Sequence, residues 1–278
     1  MIAAIANSGV LQKALTACFF ACILCGIIGV IIIEKKLVMM CGGIAHTSYG
    51  GVGLGYLLGF EPIIGAFVFA LLSAFGIGYL HRRGSDRSDV FNGIVWSLGM
   101  SLGILFVHLR PGYPPALDSY LFGSITSVTK FDINLTAVLT ILVLAIIIIF
   151  YNYWKAYLFD EEFAAVSGVR VAFLEYLMLA MTAMAVVVLI RVVGIILILA
   201  LLLAPAATAS LLSANLSRRM IYATILGWIY CFAGIWLTYE PNLPTGSVIA
   251  VVAVASYLLV FGAVSVKSRI LKRRHAKG

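Results

Sequence analysis

Long apolar runs alternate with short polar breaks along the whole of this chain. A hydrocarbon core about 30 Å thick takes about 20 residues of helix to cross. Nine runs meet that length: 14–33, 37–59, 62–80, 90–108, 133–151, 173–190, 192–212, 220–238 and 247–266. They are continuously apolar and do not alternate, so the pattern predicts helices and not a β-barrel. The stretch 176–212 is apolar apart from Arg191 and too long for one crossing. It is expected to fold as a helical hairpin turning near Arg191 and Gly194, with Pro205 kinking the second arm. The predicted fold class is an all-α integral membrane protein, a polytopic helical bundle of eight to nine spans.

The longest hydrophilic break after the halfway mark is 152–174, which holds Asp160, Glu161, Glu162 and Arg170. It reads as a short amphipathic helix on one membrane face. Phe159, Phe163, Ala164 and Val166 form an apolar stripe at helical spacing, and the three consecutive acids open the segment near the positive N-terminal end of the helix. So short a helix does not stand alone in water, and a partner protein is expected to hold it. The remaining divisions are an N-terminal segment, 1–13, lying at the outer interface; a membrane domain, 14–266; and a basic tail, 267–278.

Composition places the chain in lipid. Hydrophobic residues make up 63% and charged residues 11%, against roughly 25% charged in soluble domains. Of the nineteen basic residues, all but Lys13, Arg110, Lys130 and Arg191 fall on one side of a nine-span arrangement. That side is predicted to be cytoplasmic, with the C-terminus inside and the N-terminus outside. The net charge of +8 therefore needs no nucleic acid as a partner, because these cations anchor helix ends in lipid. The opening lacks a basic n-region, so no removable signal peptide is expected. Cys18, Cys22 and Cys25 share one face of the first span, Cys41 opens the second and Cys231 lies in the eighth. They are read as neutral buried thiols with no disulfide.

The second span, CGGIAHTSYGGVGLGYLLG, carries the chemistry. Gly51, Gly55 and Gly59 recur every four residues, a ridge that lets a neighbouring helix approach closely. His46 is an ionisable group at membrane depth, where such groups face protein or a water-filled path. It is either a cation contact as neutral imidazole or a histidine hydrogen-bonded to a neighbouring helix. Ser88 or Asp89 is placed to cap the fourth span. His108, Arg110 and Asp118 sit at the outer mouth of a proline-rich segment whose residues 120–125 dip toward the membrane, while His81 and His275 read as solvated. No phosphate-binding G-x-x-x-x-G-K-[ST] loop, dinucleotide fingerprint or H-E-x-x-H zinc motif occurs. The chain is thus expected not to be an enzyme and to hold no cofactor of its own.

Six segments, taken in order, resemble the membrane permeases of the ABC importer family that takes up manganese, zinc or iron(II). They are GGIAHTSYGGVGLGYLLG, DRSDVFNGIVWSLGMSLGIL, SYLFGSITSV, FDEEFAAVSGVRV, VGIILILALLLAPAATASLL and LPTGSVIAVVA, and the likeness runs from about Leu11 to about Val266. The resemblance implies a multi-pass protein of a prokaryotic cytoplasmic membrane, working as a homodimer with a cytoplasmic ABC ATPase dimer and an extracellular or periplasmic metal-binding protein. It implies that ATP is used by the partner subunit, that a divalent metal ion is cargo, and that His46 lies on its path. FDEEFAAVSGVRV corresponds to the coupling helix, with Phe159 and Phe163 as anchors, Asp160, Glu161 and Glu162 as polar contacts, and Gly168 behind them. One position departs from the family pattern: the aspartate one helical turn before the histidine is Gly42 here. Loss of that oxygen ligand leaves the metal open, and with it an ABC permease for a metal chelate or other small cargo. An ion-coupled secondary carrier or channel complete in itself is the alternative from another class.

Overall fold

The computed structural model describes residues 9–84, 88–111, 128–238 and 243–275, the last eight of these as backbone alone. The expectations placed on 1–8, Asp118 and 120–125 lie outside the described residues. Among the described residues ten helices follow one another: α1 (Gly9–Glu34), α2 (Val38–Leu58), α3 (Pro62–Arg82), α4 (Ser88–Leu109), α5 (Lys130–Ile149), α6 (Tyr151–Phe159), α7 (Glu161–Val166), α8 (Val171–Leu212), α9 (Leu216–Leu237) and α10 (Thr245–His275). No strand occurs among the described residues.

Seven of these helices are long and apolar enough to cross a membrane, against nine candidate runs in the sequence. The difference has two causes. Helix α2 is diluted by glycine and hydroxyl residues and is not among the seven. Helix α8 merges two of the runs into 42 residues, broken only at Gly194, whose backbone angles are φ 80° and ψ 163°.

The two ends of α8 lie at the same end of the bundle. Near its start, Glu175 pairs with Arg82 at the end of α3. At its close, the Ser213 carbonyl accepts from Arg219, whose guanidinium also pairs with Glu34 at the end of α1. Lys35, next in the chain, joins Glu161. A straight helix of this length would extend about 63 Å, so the chain must reverse within it. Arg191 marks the far end, where it contacts Glu61 at 3.3 Å and Asp132 at 3.0 Å. The structure thus has a Glu161 end and an Arg191 end, and α8 is a hairpin between them. Backbone angles stay helical through Pro205, so the only break within α8 is the glycine near the expected turn.

The core is the buried face of α1 and both arms of α8, on which α9 packs antiparallel to α1. A Cβ on Gly29 would come within 2.0 Å of the Leu202 carbonyl, and one on Gly26 within 2.4 Å of the Thr224 hydroxyl. Without a hydrophobic driving force between helices in lipid, such close approach is how they cohere. All five cysteines are buried and free, with the Cys22 and Cys231 sulfurs 3.5 Å apart across α1 and α9.

Candidate functional site

Two places concentrate the residues singled out in the sequence: the Glu161 end, and the contact between α2 and α4.

At the Glu161 end, the 152–174 break forms two short helices and not one. The division falls at Asp160, whose extended backbone and carboxylate cap α7 by accepting from the Phe163 N–H at 2.9 Å. A carboxylate there satisfies an orphan donor and suits the helix dipole. Gly168, at φ 82°, closes the segment in the left-handed region that glycine adopts without cost. The expected apolar stripe divides between two faces. Ala164 is fully buried against the bundle, while Phe159, Phe163 and Val166 point away and are 92%, 65% and 89% exposed. Phe159 ends α6 and the other three lie on α7, beyond the extended Asp160, so no single helical face joins them; the residues held against the bundle are Ala164 and, on α6, Trp154 and Tyr157, all buried.

These two aromatics carried no signal in the sequence beyond their type. Tyr151 exchanges a hydrogen bond with Ser217 at 2.5 Å, fastening α6 to α9. Lys35 lies 3.8 Å over the Tyr157 ring and 2.5 Å from the Glu161 carboxylate. Burial, reinforced by the nearby Glu175 and Glu161 charges, holds the Tyr157 phenol above its ordinary pKa, so it stays neutral. Of the three acids expected to face a partner, Asp160 caps α7, Glu161 pairs with Lys35, and Glu162 is exposed. Beside them a half-open cleft of about 490 Å³ is lined by Glu34, Tyr151, Lys155, Phe159, Asn215 and Arg219.

Helix α2 is clamped between α3 and α4. Gly51 meets Gly65 so closely that a Cβ would fall 2.0 Å from its carbonyl, and a Cβ on Gly55 would fall 2.6 Å from Pro62. Gly59 does not belong to that ridge. It is the C-cap of α2 at φ 76°, with open space where a Cβ would stand. On the other side, α4 runs parallel to α2. Asn92 donates to the Met39 carbonyl at 2.6 Å, and the Thr47 hydroxyl donates to the carbonyls of Gly43 at 2.7 Å and Val95 at 3.2 Å. Gly99 and Gly103 bring the backbones together, since a Cβ on either would lie 2.5 Å from Thr47 or Tyr49.

His46 projects from α2 at this seam. Its ring stacks on Trp96 of α4, centroids 4.2 Å apart and planes 9° from parallel. Its Nδ1 is buried and has no hydrogen-bond partner among the described residues. The helix-to-helix hydrogen bond that was one of its two readings is thus absent at Nδ1. No group of three or more His, Cys, Asp or Glu side chains converges as a metal site among the described residues. His46 is a lone imidazole beside Gly42 and an indole.

The comparisons agree with this architecture. A membrane protein of Synechocystis of uncharacterized role is 37% identical over 249 residues, covering 90% of this chain and 89% of that one. The manganese transport system membrane protein MntC of Listeria innocua is 33% identical over 255 residues, covering 91% and 90%. The structure of PsaBC from Streptococcus pneumoniae in complex with Fab superposes with a TM-score of 0.84 at 32% identity, over 94% of each chain. Residues 7–264 match the ABC 3 transport family. A match over nearly the whole length, joined to an all-helical bundle of the same shape, places the chain: it belongs to the ABC 3 transport family.

Proposed function

We propose that this chain is the membrane-spanning permease subunit of an ATP-driven importer for a divalent transition-metal ion. The observation that carries the reading is the near full-length likeness to MntC, named for manganese transport, and to PsaBC. Manganese is accordingly the first ion to test. The absence of a phosphate-binding loop assigns ATP hydrolysis to a separate ABC ATPase, and a metal-binding protein delivers the ion on the opposite face.

The Glu161 end faces the cytoplasm in this reading, as the fifteen-to-four division of basic residues supports. There Phe159, Phe163 and Val166 are the contact with the ATPase, presented by α6 and α7 on a base fixed by Trp154, Tyr157 and Ala164. Rigid anchoring matters, because a surface that yields cannot pass movement inward. His46 lies on the metal path. A second copy of the chain completes the transporter, and alternation between two arrangements of the bundle carries the ion across.

The test is co-purification and uptake. Replacing Phe159 and Phe163 together by Ser is expected to detach the ATPase and abolish ATP-driven manganese(II) uptake, with membrane abundance unchanged. Undiminished uptake would refute the assignment. Transport into liposomes holding the purified chain without any ATPase would support the secondary-carrier alternative.

A further inference from the structure

We propose that Trp96 is the positioning residue for His46, and that Gly42 is what makes room for it. The inference rests on the reading that His46 meets the cargo. A histidine side chain on a helix swings about χ2 unless something holds its ring. Here the hydrogen bond that usually does so is missing at Nδ1. What holds the plane instead is the indole of Trp96, parallel within 9° and 4.2 Å away. Two flat rings in that relation restrict rotation of the imidazole away from the parallel arrangement, while the indole covers its face and not its edge. The nitrogen lone pair lies in that edge, so fixing the plane fixes the direction in which a cation is met.

The slot for the indole is built by α2 itself. Gly42 precedes His46 by one helical turn on the same face, and a Cβ on it would stand 3.3 Å from Cζ3 of Trp96. The six-membered ring of the indole thus lies across Gly42 and reaches His46. The register that brings it there is set by three independent contacts: Asn92 to Met39, Thr47 to Val95, and the close passage of Gly99 over Thr47. Where no group of three or more candidate ligands converges among the described residues, orientation of one imidazole by one indole is the specific feature of this seam.

A double-mutant cycle in the assembled transporter tests it, read as manganese(II) uptake at matched membrane abundance. Trp96→Ala is expected to cut uptake about tenfold, and Trp96→Phe, which keeps a stacking ring, to stay within about threefold of wild type. If Trp96 acts through His46, the double variant H46A/W96A is no worse than H46A. A double variant about tenfold worse than H46A overturns the proposal, as does a Trp96→Phe variant as defective as Trp96→Ala. Should Trp96→Ala fail to reach the membrane, Trp96→Leu takes its place in the same cycle. Normal uptake by H46A is a separate failure: it removes His46 from the metal path, and with it the ground for the proposal. Gly42→Ala is the complementary arm: its methyl would press the indole by a few tenths of an ångström, and it is expected to lower uptake on the wild-type background but to cause no further loss on W96A, where the ring it would press is gone.

Discussion

Lys35 ties the last turn before α2 to the short helix α7: its ammonium lies 2.5 Å from the Glu161 carboxylate. The same ammonium rests over the Tyr157 ring, and the next residue, Lys36, adopts φ 58°, rare for a side chain with a Cβ. The chain therefore passes from the base of the proposed ATPase contact to the helix carrying His46 through three residues, one of them in a strained conformation. In the proposed transporter this connection gives movement of α7 a route to α2 that does not cross the core.

Charge reversal at this pair is expected to uncouple the transporter. Glu161 is half exposed, so the pair contributes under about 1 kcal/mol to stability. Glu161→Lys should leave thermal stability near wild type while lowering ATP-driven uptake severalfold; Lys35→Glu, at a side chain only 14% exposed and seated over the Tyr157 ring, should lower uptake as much and stability more, and the swapped double variant should recover most of the uptake. Single variants that transport normally would show that the pair is only a surface contact.

Glu175 is a different kind of ion pair. Its carboxylate is buried, accepting from Arg82 at 2.7 Å with His81 Nδ1 at 3.1 Å. Removing a partner from a buried charge costs about 3–5 kcal/mol; with His81 remaining and Arg82 a third exposed, the lower end is expected. Arg82→Leu should therefore lower the melting temperature of the purified protein more than the double variant Arg82→Leu with Glu175→Leu, which removes both charges. The reverse order would contradict burial of Glu175 as the cause.

Spans were legible because hydrophobicity in lipid is a length requirement read directly from runs such as 247–266. The hairpin was legible for the same reason, since 176–212 exceeds one crossing. Contacts between distant segments left no such trace. Glu175 stands at the edge of an apolar run and looks like a membrane-surface acid until Arg82, far away in sequence, is found beside it. Trp96 is one more aromatic in an apolar stretch, and only the parallel packing of α2 and α4 makes it the neighbour of His46. Gly59 misled because a four-residue period continues past the point where the helix stops.

That distinction can be measured. Gly51→Ala forces a methyl against the Gly65 carbonyl, with backbone on both sides and nothing flexible to yield. It is expected to abolish membrane accumulation or folding in detergent. Gly59→Ala meets open space and bears only the left-handed conformation, a cost of about 1–2 kcal/mol. It should accumulate and transport, with a slightly lower melting temperature. Equal defects in the two variants would place Gly59 back in the packing ridge.

Gly194 is the residue on which the reversal of α8 depends. With φ at 80° and ψ at 163°, it occupies a region essentially closed to any residue with a Cβ, with strain of order 1–3 kcal/mol when forced. Both arms of the hairpin are largely buried, and the Arg191 contacts to Glu61 and Asp132 hold the turn against α3 and α5. Gly194→Ala should therefore weaken the turn while leaving the arms helical. Cysteines introduced at Glu34 and Arg219, an ion pair far apart in sequence that meets because the second arm returns the start of α9 to the Glu161 end, report on it. In the wild-type background they should cross-link readily in membranes; in Gly194→Ala the yield should fall together with uptake. Cross-linking that persists at full yield while uptake is lost would show that the glycine serves movement of the turn and not its formation.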